Sequence, residues 1–79
     1  MIIEIFSKTN CIFCEKAKII LQKYKPIVKM LDKDFNREDF FKEFPNARTF
    51  PQIIINKEHV GGYEELKKWL EKNSLNEDF

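Results

Sequence analysis

The only two cysteines of this 79-residue chain stand three positions apart, as Cys11-Ile12-Phe13-Cys14. The stretch that holds them joins a β-branched apolar run to an amphipathic pattern, and that placement constrains the fold more than any other feature. Ile2, Ile3, Ile5 and Phe6 predict a short buried first strand. Beyond the cysteines, Ala17, Ile20, Leu21 and Tyr24 recur at i, i+3, i+4 and i+7. Lys16, Lys18 and Lys23 take the opposite face, and Pro26 lies just past the end. The pair is therefore expected at a strand-to-helix junction, with Cys11 at the helix N-terminus and Cys14 one turn inside.

The remaining chain supplies a second helix and three more strands. Ile27, Val28, Met30 and Leu31 predict a strand. Asn36 is placed to cap a helix with Asp39 three positions on, and Phe35 to pack on Phe40 as a hydrophobic staple. Phe40, Phe41 and Phe44 form the expected inner face before Pro45 stops that helix. Gln52 to Asn56 and Glu58 to Val60 read as two strands around a tight turn at Asn56-Lys57. After Gly61-Gly62, Leu66, Trp69 and Leu70 mark a last amphipathic helix, and the polar stretch 73–79 is expected to fray. The order is β-α-β-α-β-β-α. A right-handed parallel crossover and a closing hairpin then predict a small mixed sheet with helices on both faces, as one domain over 1–79.

Composition serves mainly to exclude. Two cysteines cannot build a multi-bridge secreted scaffold, nor, with the single His59, a four-ligand zinc site. Fourteen basic residues against thirteen acidic leave a net charge of +1, which provides no field for nucleic acid or a membrane surface. The opening Met1-Ile2-Ile3-Glu4 lacks the basic leader of a signal peptide, and no apolar stretch approaches the roughly 20 residues of a membrane span. The expected setting is a reducing cytoplasm, where Cys-x-x-Cys after a strand is a redox or metal signature.

At a helix N-terminus, unpaired N–H groups and the helix dipole favour a thiolate, and Lys8 adds positive charge. A free thiol near pKa ~8.5 is only about 3% ionised at pH 7, so this placement makes Cys11 the better nucleophile. Cys14 is placed to attack the Cys11 sulfur and resolve a mixed disulfide.

Four separated elements together resemble the dithiol glutaredoxins of the thioredoxin fold: Lys8-Thr9-Asn10-Cys11-Ile12-Phe13-Cys14, Asn36-Arg37-Glu38, Thr49-Phe50-Pro51-Gln52, and Gly61-Gly62-Tyr63-Glu64-Glu65-Leu66. The resemblance implies a thioredoxin-like sheet of four strands flanked by three helices. It also implies a glutathione groove formed by Lys8, Phe13, Arg37, Thr49, Phe50, Pro51, Gly62, Tyr63, Glu64 and Glu65. Within it, a cis Phe50–Pro51 bond would expose the Phe50 backbone beside the cysteines. Gly62 and Glu64 would offer N–H groups to the γ-glutamyl carboxylate, and Glu65 would meet the γ-glutamyl ammonium. Lys8 and Arg37 would face the glycyl carboxylate, with Arg48 as a second candidate. Three positions depart from the family pattern: Ile12 stands where proline is usual, Phe13 where tyrosine is, and Glu65 where aspartate is.

The function so implied is glutathione-dependent reduction of protein disulfides and of protein–glutathione mixed disulfides. Cys11 and Cys14 are the catalytic pair, and glutathione is a co-substrate rather than a tightly bound cofactor. The resemblance implies a potential of about −200 to −230 mV. The expected partners are disulfide-bearing or glutathionylated proteins. Ribonucleotide reductase is a familiar partner of the family, and the chain itself is expected to be a monomer. Two alternatives stand beside this. One is a thioredoxin-like electron donor served by a flavoprotein reductase. The other is a glutathione-ligated [2Fe–2S] carrier, with Cys11 as ligand, which Ile12 leaves open.

Overall fold

The structure, a computed structural model, describes residues 1–73. The chain runs β1 (Ile3–Ser7), α1 (Ile12–Leu21), a 3₁₀ turn (Gln22–Tyr24), β2 (Ile27–Met30), α2 (Arg37–Glu43), β3 (Gln52–Ile55), β4 (Glu58–Gly61) and α3 (Tyr63–Lys72). The strands form one sheet in the order β2-β1-β3-β4. β1 pairs with β2 in parallel, and with β3 antiparallel in the register Ile5↔Ile53. β3 and β4 form the expected hairpin, turning through Asn56 and Lys57, both at positive φ (52° and 71°). Two positive-φ residues give the turn a twist that matches the strands it joins.

Alternation along β1 separates two apolar clusters, one on each face of the sheet. Ile3 and Ile5 point toward α1 and α3, where Ala17, Leu21, Ile53, Ile55 and Leu66 complete the larger cluster. Phe6 points the other way, toward α2, into a cluster with Phe40, Phe44 and Ala47. The second cluster is built from rings: Phe6 meets Phe44 edge-on at 5.0 Å and Phe35 at 5.1 Å. Asn36 caps α2 as its position predicts, its side-chain oxygen accepting the Asp39 N–H at 2.8 Å. The predicted staple also forms, with Phe35 stacked on Phe40 at 5.8 Å.

Several residues fall elsewhere than the pattern predicts. Ile20 is 36% exposed, because the buried stripe of α1 is Cys14, Ala17 and Leu21, at i, i+3 and i+7. The buried stripe therefore runs through the second cysteine and leaves the isoleucine at its edge. α1 also ends at Leu21, and its last turn tightens into the 3₁₀ segment before Lys25 turns left-handed (φ 53°) ahead of Pro26. Ile2 precedes β1 and is 59% exposed, and Phe41 on α2 is 47% exposed. α2 has one fully covered helical residue, Phe40, since a two-turn helix lying on a sheet covers a narrow stripe. Leu31 leaves β2 and makes a single bridge to Phe35. Asn73, expected in the frayed tail, instead closes α3 by donating its backbone and side-chain N–H groups to the Trp69 carbonyl. The rest of that tail lies outside the described residues.

Candidate active site

The C-terminal end of β1 delivers the chain into the loop that carries Cys11. Cys11 is extended (φ −124°, ψ 105°) and occupies the N-cap position of α1. Its sulfur accepts the Cys14 N–H at 3.2 Å, the bond that a serine or aspartate oxygen makes at this position in other helices. A sulfur that becomes anionic here meets a backbone donor and the positive end of the helix dipole. Cys11 and Cys14 are joined as a disulfide with Cα atoms 5.2 Å apart. Their accessibilities differ. Cys14 is 0% exposed, whereas Cys11 is partly open, so only the Cys11 sulfur can meet a sulfur from outside.

Across from the pair, the Phe50–Pro51 peptide is cis and Pro51 is buried. The Phe50 carbonyl oxygen lies 3.7 Å from the Cys11 sulfur, where it can accept from the thiol of the reduced form. The Phe50 ring is held from behind, stacked on Phe40 at 4.6 Å. The Lys8 ammonium sits 5.7 Å from the centroid of the same ring. Lys8 thus brings its charge beside the cysteine loop.

A cavity of about 210 Å³ is lined by Phe13, which lies between the two cysteines, and by Phe50, whose carbonyl faces Cys11. Phe13 and Tyr63, with ring centroids 5.6 Å apart, form one wall. Thr49, Phe50 and Gly62 form another, and Glu64 and Glu65 contribute carboxylates from the first turn of α3. Seven predicted groove residues therefore line one cavity. Pro51 lies immediately behind it, with its carbonyl oxygen 3.5 Å from the position a Cβ on Gly62 would take. Arg37 begins α2 as an exposed residue and is not among the residues lining the cavity. Arg48 lines an adjoining cavity of about 330 Å³ that shares Thr49, Gly62 and Glu65 with the first and is lined also by Gln52, His59 and Gly61.

Two predicted contacts are already engaged within the chain. The Gly62 N–H donates to Glu65 Oε1 at 3.0 Å, one half of a capping box at the start of α3. The extra methylene of glutamate gives it this reach back to its own helix cap. Tyr63 and Glu64, as the first helical residues, carry N–H groups that have no acceptor within the helix.

The two glycines also differ. Gly61 has φ +123°, and a Cβ there would come within 2.9 Å of both Cβ and Cγ of Glu65. Gly62 has an ordinary φ, and its nearest contact would be Glu65 Oε1 at 3.3 Å. Gly61→Ala is expected to destabilise the protein by about 1–3 kcal/mol, through strained backbone and a displaced Glu65. Gly62→Ala should cost less. Urea denaturation of both variants checks the order, and a larger loss at Gly62 would overturn it.

Two features of the site left no usable mark in the sequence. One is the ring stack behind Phe50, since Phe35, Phe40 and Phe44 read only as a helix face and its staple. The other is Lys16, whose ammonium sits 5.4 Å from the centroid of the Phe13 ring and so backs the cavity wall.

A four-stranded mixed sheet between helices, with a dithiol pair at a helix N-terminus facing a buried proline turn, defines a thioredoxin-like thiol–disulfide oxidoreductase. A family model described as Glutaredoxin matches residues 3–60, and the chain belongs to the glutaredoxin family. It is 36% identical over 75 residues to Glutaredoxin-1 of Rhizophagus irregularis, covering 89% of this chain and 74% of that protein. Against Glutaredoxin-C4 of Arabidopsis thaliana it is 33% identical over 79 residues, covering 92% of this chain but 58% of the plant protein. Among solved structures, glutaredoxin 1 from Francisella tularensis, complexed with cacodylate, superposes with a TM-score of 0.77 at 27% identity. That match covers 95% of this chain and 96% of the other. A buckwheat glutaredoxin–glutathione complex shares the fold with a TM-score of 0.76 at 22% identity, covering 92% of this chain and 71% of that one.

Proposed function

We propose that this protein is a glutathione-dependent oxidoreductase that reduces protein disulfides and protein–glutathione mixed disulfides. The observation that carries the proposal is the asymmetry of the Cys11–Cys14 pair beside a cavity of about 210 Å³. One sulfur is open at a helix N-terminus, its partner is buried, and the space next to the open one is sized for part of a peptide. The buckwheat relative was solved as a complex with glutathione, which supports the choice of ligand.

In the reduced protein the Cys11 thiolate attacks one sulfur of the substrate disulfide. A bond forms between Cys11 and that sulfur, and the other sulfur leaves as a thiolate and takes a proton. For a protein disulfide, Cys14 then attacks the Cys11 sulfur. The Cys11–Cys14 bond forms, the bond to the substrate breaks, and the electron pair departs with the substrate thiolate. Two glutathione molecules reverse the change. The first forms a Cys11–glutathione disulfide and frees Cys14, and the second removes the bound glutathione as glutathione disulfide.

Phe13 and Tyr63 offer apolar walls to the middle of glutathione, and the first N–H groups of α3 favour its γ-glutamyl carboxylate. Glu64 and the remaining Glu65 oxygen face the γ-glutamyl ammonium, and Lys8 faces the glycyl end. Such positioning of the sulfur supplies the proximity that thiol exchange needs. A reducing cytoplasm, rich in glutathione, is the compartment in which this cycle runs.

Turnover of a small glutathionylated disulfide should be seen with glutathione, glutathione reductase and NADPH. Turnover that needs thioredoxin reductase, and is absent with glutathione, would overturn the proposal in favour of a thioredoxin-like donor.

A further inference from the structure

Ser7 is the last residue of β1 and is 0% exposed. Its hydroxyl has no hydrogen-bond partner among the described residues. A buried hydroxyl without a partner costs free energy, so its retention needs a reason.

Its surroundings supply one. Ser7 shares its face of β1 with Ile3 and Ile5, which pack in the cluster that Ala17 and Leu21 enter from α1. α1 returns antiparallel to β1 across that face. Its last turn, with Leu21, therefore lies over the start of the strand, and its first turn over the end. The buried residue in the first turn is Cys14, also 0% exposed. Pro51, buried as well, sits at the same level, because the neighbouring Gln52 pairs with Phe6. Alternation and helix direction thus place the buried Ser7 hydroxyl at the end of β1 that the first turn of α1, with Cys14, covers.

We propose that Ser7 is a positioning residue for Cys14, and that its hydroxyl finds its hydrogen-bond partner only when the disulfide is reduced. This rests on Cys14 being the thiol that closes the disulfide. In the oxidised protein the Cys14 sulfur is held in its bond to Cys11. Once that bond is broken, the sulfur carries a free lone pair and, as a thiolate, a charge, and it can rotate about its Cα–Cβ bond. Ser7 then donates a hydrogen bond to it. No proton is transferred. When Cys14 attacks Cys11, the sulfur spends the electron pair on the new S–S bond, the substrate thiolate leaves, and the Ser7 hydroxyl loses its acceptor again. The serine so stabilises the dithiol state selectively and orients the Cys14 sulfur for attack.

A device that stabilises only the reduced state makes the pair a stronger oxidant. Ser7→Ala, which keeps the volume nearly unchanged, should shift the dithiol–disulfide equilibrium about tenfold toward the disulfide. For a two-electron couple that is about 30 mV more negative. The equilibrium is measured against dithiothreitol, so it is readable whether or not glutathione is the natural reductant. A lack of exchange between the wild type and glutathione would then count against the function proposed above, and not against Ser7.

Two further readouts separate this role from plain packing. The oxidised form of Ser7→Ala should melt no lower than wild type, whereas its reduced form should melt lower. In a Cys14→Ser background, Ser7→Ala should leave the equilibrium between Cys11 and a glutathione mixed disulfide unchanged within twofold. An unshifted dithiothreitol equilibrium would overturn the proposal. Equal destabilisation of both redox forms, or an equal shift with Cys14 absent, would do the same.

Discussion

Cys11→Ser is expected to abolish thiol–disulfide turnover, by at least about a thousandfold, the scale for losing a nucleophile on which the other groups depend. A serine hydroxyl at the cap of α1 keeps the Cys14 N–H satisfied and should leave the fold intact, so the loss would report chemistry. Cys14 cannot substitute from its own position, because it is 0% exposed and faces the core. Cys14→Ser should behave differently. Release of glutathione from a mixed disulfide needs only Cys11 and a second glutathione, and should stay within a few-fold of wild type. Reduction of a protein disulfide should stall, with the substrate trapped on Cys11 and visible by mass spectrometry. The coupled glutathione reductase assay with both variants tests the division of labour. Full activity in Cys11→Ser, or equal loss on both substrate types in Cys14→Ser, would sink it.

Phe40→Ala is expected to be the most damaging single truncation around the site. Phe40 is 2% exposed and meets the rings of Phe35, Phe44 and Phe50 at 5.8, 5.2 and 4.6 Å. Removing a ring from such a setting costs about 3–5 kcal/mol, through lost transfer energy and the cavity left behind. In a domain of this size each kcal/mol lowers Tm by roughly 4–8 °C, so a fall beyond about 12 °C is expected. The functional consequence follows from the same geometry. Phe50 carries the carbonyl next to Cys11 and one wall of the cavity, and Phe40 is what its ring rests on. Phe40→Leu, which refills part of the space, should recover most of the stability while Phe50 remains less well held. Its KM for a glutathionylated substrate should then rise more than its kcat falls. Denaturant titration and steady-state kinetics check the two halves. A loss below about 1 kcal/mol in Phe40→Ala would show that α2 and its rings do not hold this face together.

Much of the architecture was legible because local signals agreed with one another. Asn36, Asp39, Phe35 and Phe40 predict the start of α2, and the cap and staple form as expected. Asn56 and Lys57 predict the hairpin turn. Where the pattern misplaced residues, the cause was competition for a narrow surface. On α1, Ile20 and Cys14 are both compatible with a helical stripe, and hydropathy favours the isoleucine. The fold buries Cys14, Ala17 and Leu21 at i, i+3 and i+7, and Ile20, one position before Leu21, falls at the edge of that stripe. Glu65 illustrates a second kind of shortfall. Its position in the motif marks it as facing a ligand, but its side chain also reaches the Gly62 N–H. Only the path of the chain into α3 reveals that engagement.

The sequence by itself determined the order of elements, the strand-to-helix junction that carries the cysteines, and the family. Those follow from periodicity, turn chemistry and motif spacing along neighbouring residues. The tertiary structure alone decided which sulfur is open and which is buried, which predicted groove residues share one cavity, and what stands behind them. Residues as distant as Phe13, Phe50 and Tyr63 meet only when α1, the turn before β3 and α3 are packed. Ser7 shows the difference most clearly. In sequence it is a serine before a lysine, and its place appears only once the alternation of β1 and the return of α1 bury its hydroxyl at the end of the sheet that the first turn of α1 covers.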